Sequence, residues 1–557
     1  MSDPLRILIV GGYGTFGGRI VELLENEPRI VLIIAGRSAE KARAYIATRR
    51  TGEAVLIPAA FDRDGDLGPQ LAALTPQLVI DASGPFQAYG ATGFALIEAC
   101  IRARLSYLDL ADGADFVAGV AAYDEAAKAA GIFVLSGVSS FPVLTAAVVR
   151  RLGEGLAGIE TIEGGIAPSP YAGVGLNVIR AISSYAGRPT PIRRDGQDIT
   201  AYPFTDHARV TIAPPGALPL TSTLFSLVDV PDLRALQQLW PNARTVWMGA
   251  GPVPAILHRA LIACAWLVRL RLLPPLTFMA GLMHWSTNRL RWGEHRGGMF
   301  VRIAGRDSRG APARRSWHML AEGDDGPLIP SMAVEALVRK HLDGHVPAPG
   351  ARAATAELEL ADYEALFDGR RITTGFCDDA ASPQRLYPTL LGEAWKRLPY
   401  AIRAIHEGDL AEGVATVERG RNPLGHLGAW IAGFPPAAKD IPVTVRFDET
   451  AGVETWTRRF GPYTFSSRQY AGAGRWDRLL VERFGAMTFA MALVVEEAGL
   501  RLVIRHWRLL GIPLPLWLAP RSNSFEAEKD GAFRFHVEIS HPLTGLIVRY
   551  RGRLKRR

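Results

Sequence analysis

The chain has few cysteines. Its three, Cys100, Cys264 and Cys377 in 557 residues, lie far apart and without C-x-x-C spacing. That excludes a disulfide framework and a cysteine zinc site, and it points to a reducing cytosol. In the C-terminal third, His406, His426, His506, His536 and His541 form no H-x-x-x-H pair, so they read as solvated or internally bonded histidines and no metal is expected. Long apolar runs are also missing. The most hydrophobic stretch, residues 252–285, has an uncharged core of only nine residues, Ala260 to Val268, against the ~20 that a bilayer-spanning helix needs. The N-terminus lacks the charged, apolar and cleavage-site order of a secretory signal. No zinc-finger, ribonucleoprotein or helix-turn-helix signature is present, so no nucleic acid partner is expected. The net charge of +8 is uneven, with −3 over residues 1–150, +2 over 151–380 and +9 over 381–557. The basic third reads as a solvated surface, a site for an acidic ligand, or a contact for anionic lipid headgroups.

Among the features present, the chain start is the most specific. An apolar run, Leu5–Val10, leads into Gly11-Gly12-Tyr13-Gly14-Thr15-Phe16-Gly17-Gly18 and then an amphipathic run through Leu24. Read from Gly12, this is G-x-G-x-x-G between a strand and a helix, the context of a dinucleotide fingerprint. Gly12 permits the tight turn, Gly14 the approach of a pyrophosphate, and Gly17 close packing of helix on strand. Tyr13, Thr15 and Phe16 complete the candidate phosphate loop, whose helix N-terminus offers N–H groups to anions. A second apolar strand, Ile30–Ile34, ends in Ala35-Gly36-Arg37-Ser38. An NAD site places an acidic residue near this point to hold the ribose 2′-hydroxyl. Here Gly36 leaves room, the Arg37 guanidinium suits a 2′-phosphate, and Ser38 and Lys41 add donors. The pattern favours NADP(H) over NAD(H). After the third strand, Asp62 reads either as a partner for adenine or as a surface turn.

Strand and helix continue to alternate. Leu78–Ile80 runs into Asp81-Ala-Ser-Gly-Pro-Phe-Gln-Ala-Tyr-Gly90, a helix follows over 91–104, then Tyr107-Leu-Asp109, a helix over 116–130, Ile132–Leu135 and the loop Ser136–Pro142. Loops at the carboxyl ends of strands are where an open parallel sheet binds ligands. This singles out Ser83, Gly84 and Pro85 for the cofactor. Tyr89, Asp109 and Ser139, with Ser83 and Asp112 behind them, are the candidate proton donors. Tyr-x-x-x-Lys, the pair of short-chain reductases, does not stand in the right place. The opening fingerprint, Ala35-Gly36-Arg37, the Ser83-Gly84-Pro85-Phe86 loop with Tyr89-Gly90, and Tyr107-Leu108-Asp109 together resemble the saccharopine-dehydrogenase-like oxidoreductases over roughly residues 5–345. The resemblance implies a Rossmann domain interrupted by a second α/β domain that closes over the nicotinamide. Family members usually carry a Gly-Phe-Asp-Ser-Val-Pro-like loop where this chain has Gly137–Pro142, so Ser139 stands where an acid is common. The amino-acid-binding residues of true saccharopine enzymes do not transfer.

In the middle region a helix is expected from near Gly175 to Gly187, with Ser183, Tyr185 and Arg188 as candidate site residues, Tyr185 reading equally as part of a packed core helix. Residues 252–285 read as two short helices joined at Pro274-Pro275, packed between domains, forming an oligomer contact, or lying at a membrane interface. Residues 316–341 read as a return to the first domain, and Gly344–Arg352 as a linker. From about residue 380, apolar and polar residues alternate in some seven runs, from Ile441–Phe447 to Gly545–Gly552. They predict a curved antiparallel sheet or barrel. Arg458, Arg459, Arg505 and Arg508 beside Trp456 and Trp507 read as a solvated basic face or an acidic-ligand site. This third resembles an uncharacterised bacterial domain fused to saccharopine-dehydrogenase-like proteins.

The expected architecture is α/β: a Rossmann doubly wound parallel sheet over 1–150, an α/β substrate or dimerisation domain over 151–345, a linker over 346–380, and a mainly antiparallel β domain over 381–557. The function it implies is an NADP(H)-dependent oxidoreductase acting on an unidentified, lipid-like small molecule. A non-catalytic NADP(H)-sensing protein that binds lipid or protein through its last domain is the alternative. The expected location is cytoplasmic, with peripheral contact at the inner face of the membrane through 252–285 and a homodimer both left open.

Overall fold

A computed structural model describes residues 3–49, 52–90, 93–252, 254–378, 385–497 and 499–557. The first two residues of the expected helix 91–104, Val253, and residues 379–384 around the expected linker end lie outside the described residues. The chain forms two compact units, Met1–Ala208 with Leu224–Ile372, and Arg209–Thr223 with Thr373–Arg557.

The first unit begins with β1 (Leu5–Val10), α1 (Thr15–Leu24), β2 (Ile30–Gly36), α2 (Ala39–Ala47), β3 (Val55–Ala60), β4 (Leu78–Asp81), β5 (Ser106–Asp109) and β6 (Phe133–Ser136). The strands form one parallel sheet in the order β3-β2-β1-β4-β5-β6. The strand order reverses at β1, so its neighbour on one side is β2 and on the other β4. The crevice beyond their carboxyl ends is the ligand position of this fold. Both faces of the sheet are covered, so β1 and β2 are almost unbroken apolar runs. Ile7, Leu8 and Ile9 have no exposed surface; burying each is worth about 1.5–3 kcal/mol.

Gly350–Ala353 is not a linker. It is a seventh strand of this sheet, parallel to β6. Its small residues hid it: Gly350 and Ala351 are buried, and Asp124 accepts the Ala351 N–H at 2.9 Å. Between β6 and this strand the chain builds a second, mixed sheet in the order Leu220–Leu227, Thr245–Ala250, Leu156–Ala167, Arg296–Asp307, Pro312–Glu322. Thr245–Ala250 lies parallel to Leu156–Ala167; the other contacts among these strands are antiparallel. Of residues 316–341, expected as a return to the first domain, residues 316–321 belong to a strand of the second sheet. The helix after it, Ile329–Leu342, reaches back to the first sheet's side, where the Ser331 hydroxyl meets the Phe16 carbonyl at 3.5 Å.

In the second unit, ten antiparallel strands close into a barrel. They are Leu410–Arg419, Ala438–Thr450, Val453–Phe460, Tyr463–Ala471, Leu480–Phe484, Met487–Glu496, Gly499–Leu509, Arg521–Lys529, Ala532–His541 and Gly545–Arg556. Each pairs with the next in sequence, and the last pairs with the first from Ala411↔Arg556 to Arg419↔Val548. Helical residues before the barrel, among them Tyr387, Trp395 and Ile402, join its interior in one apolar cluster.

Candidate functional site

In the turn after β1, the Gly11 and Gly12 N–H groups donate to the Ala35 carbonyl at 2.8 and 2.9 Å, and the Gly14 N–H donates to the Gly11 carbonyl at 2.8 Å. Gly11 takes φ +78°, a conformation glycine adopts without strain. Gly14 is the residue before α1, and no side chain caps that helix. Its first N–H groups therefore face the crevice at the positive end of the helix dipole. A Cβ at Gly17 would stand 2.2 Å from the Gly11 carbonyl oxygen and 2.7 Å from Gly12 Cα. Both are backbone atoms, so the loop itself would have to move. Gly17→Ala is expected to weaken NADPH binding at least tenfold (about 1.4 kcal/mol) in a fluorescence titration; an unchanged affinity would remove this turn from the site.

At the carboxyl end of β2, Tyr13 folds over Gly36. A Cβ there would meet the Tyr13 hydroxyl at 2.5 Å, and that hydroxyl accepts the Ser38 N–H at 3.3 Å. Ser38 caps α2, its oxygen accepting the Lys41 N–H at 3.2 Å. The hydroxyl hydrogen of Ser38 is left to donate. Arg37 is exposed beside it and makes no ion pair among the described residues. Asp62 is exposed and closes its own turn, accepting the Asp64 N–H at 3.2 Å, which is the surface-turn alternative.

The β4 loop holds a connected polar group. Asp81 is fully buried and accepts from the Ser83 backbone N–H at 3.0 Å and the Ser83 hydroxyl at 2.5 Å. Ser83 and Tyr89 share a hydroxyl–hydroxyl bond of 2.8 Å. Arg63, which no motif marks in the sequence, donates to Asp81 at 3.1 Å and lies 3.4 Å from the centre of the Tyr89 ring. Burial, then Asp81, raises the Tyr89 phenol. Asp109 has no exposed surface. One of its oxygens accepts from Ala111 N–H, Ser136 hydroxyl and Gly137 N–H, each at 2.9 Å. Burial pushes its carboxyl up to about 7, against the pull of those bonds. It pins the loop after β6 and is too enclosed to meet a substrate. Ser139 is half-buried in that loop, and its neighbour Ser140 lines the adjoining chamber.

That chamber, about 520 Å³, lies in the first unit. Thr15, Phe16 and Arg19 of α1 form one wall, and the other walls are mostly apolar side chains from the second sheet and three helices, Leu176–Tyr185, Ala255–Arg269 and Ala280–Arg289. The first helix faces the chamber with Val178, Ile179 and Ile182. The residues expected there point elsewhere: Ser183 bonds back to the Arg180 carbonyl, Tyr185 stacks on Phe204, and Arg188 is exposed. Asn177 ties the same helix to the β4 loop through the Gly84 carbonyl at 2.8 Å. Among the described residues no carboxylate lines the chamber. The imidazole that lines it among the described residues is His258, 1% exposed, whose Nε2 lies 2.8 Å from the Ser226 hydroxyl. No motif marks His258 in the sequence; only its place on the inward face of a helix does.

The barrel encloses a second cavity of about 270 Å³ with largely aromatic walls. Arg458 points into it and pairs with Glu482 at 3.3 Å and Ser467 at 2.8 Å, while Arg459 and Arg508 are exposed. The four arginines thus do not share a face, because period two sends neighbours to opposite sides. His406 is buried on Glu526 at 2.6 Å. Among the described residues no three His, Cys, Asp or Glu side chains converge as a metal site, and no helix is long and apolar enough to cross a membrane.

Residues 7–135 match the family model described as saccharopine dehydrogenase NADP binding domain. Residues 398–554 match a domain of unknown function (DUF4166). Comparison with curated proteins finds no match. Among solved structures, apo saccharopine dehydrogenase (L-Glu forming) from Saccharomyces cerevisiae is 14% identical, with 68% of this chain and 100% of that chain covered and a TM-score of 0.49. WlbA dehydrogenase from Chromobacterium violaceum, in complex with NADH and UDP-GlcNAcA, is 14% identical, with 67% and 96% covered and a TM-score of 0.31. The first part of the chain is thus similar to the saccharopine dehydrogenase NADP-binding domains, with their NAD(P)-binding oxidoreductase fold, and the barrel to that domain of unknown function.

Proposed function

We propose that the chain is an NADP(H)-dependent oxidoreductase whose apolar, lipid-like substrate occupies the 520 Å³ chamber. One observation carries this reading: Thr15 and Phe16 belong both to the uncapped start of α1 and to the chamber wall. A dinucleotide on the glycine turn and a substrate in the chamber would therefore be neighbours. The residues fit the cofactor. Gly12, Tyr13, Gly14, Thr15, Phe16 and Gly17 would hold the pyrophosphate, Gly36, Arg37 and Ser38 the 2′-phosphate, and Ser83, Gly84 and Pro85 the nicotinamide end. A bound nicotinamide gives or takes hydride at its C4.

The chain's own residues do the rest. The apolar chamber excludes water, and Arg19 offers a cation to an acidic group on the substrate. Its guanidinium is lowered by burial and donates to the Ala172 carbonyl at 3.0 Å. We assign proton exchange with the substrate to His258, oriented by Ser226. Tyr89, hydrogen-bonded to Ser83 and covered by Arg63, is a positioning residue for the β4 loop. The test is a titration of both cofactors. Arg37→Ala is expected to weaken NADPH about tenfold and leave NADH unchanged, the signature of a lost phosphate contact. Equal affinities in wild type and variant would overturn the 2′-phosphate assignment. NADPH oxidation by the purified chain on extracted lipids tests turnover, and its absence on every extract would overturn the enzyme reading.

A further inference from the structure

The helices that wall the chamber carry a second apolar face. Leu270, Leu272, Phe278, Leu282, Trp285 and Trp292 are each more than half exposed. In a globular surface such residues are normally scattered; here they fall within 23 residues of one another, on the connection after Arg269, on the helix Ala280–Arg289 and just beyond it. The charge around them is of one sign. From residue 233 to residue 293 there is no aspartate or glutamate, where the chain's average composition would place about six, and there are seven arginines. Arg259, Arg271, Arg289 and Arg291 are exposed and form no ion pair among the described residues. Arg269 lies 4.6 Å from the Trp266 ring centre.

We infer that residues 255–292 dock on an anionic lipid bilayer, with the leucines and aromatic rings entering the headgroup boundary and the arginines meeting lipid phosphates. Short helices lying in the interface plane, rich in Trp, Leu and Arg and free of acid, have the composition this requires. Arginine stems can lie along the apolar layer while their heads stay with the phosphates. A second copy of the chain would carry the same excess of arginine on the same face, so self-pairing would set like charges against each other. An anionic surface complements them.

The docking face and the chamber meet. Leu282 lines the chamber and is also 58% exposed, and Ala260 likewise lines it and is exposed. The wall of the chamber is at these points the outer surface of the protein. Resting on the reading of the chamber as the substrate site, this makes the substrate a membrane-resident amphiphile. It would enter from the bilayer without crossing water.

The experiment is co-sedimentation of the purified full chain with vesicles of phosphatidylglycerol and phosphatidylcholine, and of phosphatidylcholine alone. Wild type is expected to pellet with the anionic vesicles and at least tenfold less with the neutral ones. Leu272→Ser/Trp285→Ser/Trp292→Ser is expected to lose at least tenfold of that binding, and Arg271→Glu/Arg291→Glu a similar amount. Both variants alter exposed side chains, so both should keep wild-type NADPH affinity. Wild-type protein left in the supernatant of anionic vesicles overturns the proposal. So does a dimer in solution that the triple variant dissociates, which would make the face an interface between copies. NADPH titration on the same samples separates the two readings. Lost vesicle binding with intact NADPH binding fails only the docking, whereas absent NADPH binding in wild type fails the oxidoreductase.

Discussion

His258→Gln is expected to lower substrate-dependent NADPH oxidation by about 10²–10⁴-fold, the usual contribution of a positioned acid or base, while NADPH affinity stays unchanged. Glutamine keeps a polar group near the Ser226 hydroxyl, which lies 2.8 Å from the imidazole Nε2, and it fills similar space beside Phe204, whose ring centre is 6.0 Å away. What it cannot do is gain and lose a proton near neutral pH. The loss should fall on kcat, and the pH profile of the residual rate should flatten where the imidazole titrated. A role limited to packing would leave that profile unmoved. Turnover equal to wild type would exclude His258 and return attention to the loop that carries Ser139 and Ser140.

The second large effect is on stability. Arg458→Met is expected to cost about 3–5 kcal/mol, the penalty of leaving a buried charge without its partner. The Arg458 and Glu482 side chains are 13% and 19% exposed. Ser467 donates to Glu482 at 2.6 Å and accepts from Arg458 at 2.8 Å, so it cannot replace the lost cation. Among the described residues, the remaining walls of the cavity, Trp456, Phe460 and Phe465 among them, include no lysine or second arginine to take its place. The double variant Arg458→Met/Glu482→Leu should recover most of the loss, because neither partner of this pair is then left as an uncompensated charge. Urea denaturation of the full chain measures both. A single-variant cost under about 1 kcal/mol would mean that water screens the pair, as it does for surface ion pairs.

The parts of this molecule legible in the sequence are those where backbone constraint dictates residue type. The glycine turn is one, because Gly17 faces a carbonyl oxygen at a distance no side chain tolerates. The apolar runs of β1 and β2 are another, because a sheet covered on both faces admits little else. Three barrel strands carry no such signal, for the opposite reason. Leu410–Arg419 contains Gly413, whose added Cβ would stand 1.9 Å from the Arg553 carbonyl oxygen, so close strand approach replaced the β-branched signal. Leu480–Phe484 is only five residues long. Arg521–Lys529 turns Ser522, Ser524 and Glu526 toward the cavity, which erases the apolar alternation. The chamber was legible only in part. Its walls come from residues as distant as Thr15 and Pro330, and no local pattern records which helix face turns inward. The sequence alone therefore suggested Ser183 and Tyr185, whereas the inward face belongs to Val178, Ile179 and Ile182.

The seventh strand of the parallel sheet has a consequence for synthesis. About 210 residues separate β6 from Gly350–Ala353, a length that a ribosome working at roughly 5–20 residues per second takes roughly 10–40 s to make. The six strands that carry the nucleotide crevice can pair during that interval, but β6 waits with one row of N–H and C=O groups unpaired. An open edge of this kind invites pairing with another chain. Val134 and Leu135, fully buried in the finished sheet, flank that edge. Emergence of Gly350–Ala353 closes it, so the yield of native protein from translation should depend on a four-residue strand far from the fingerprint it protects.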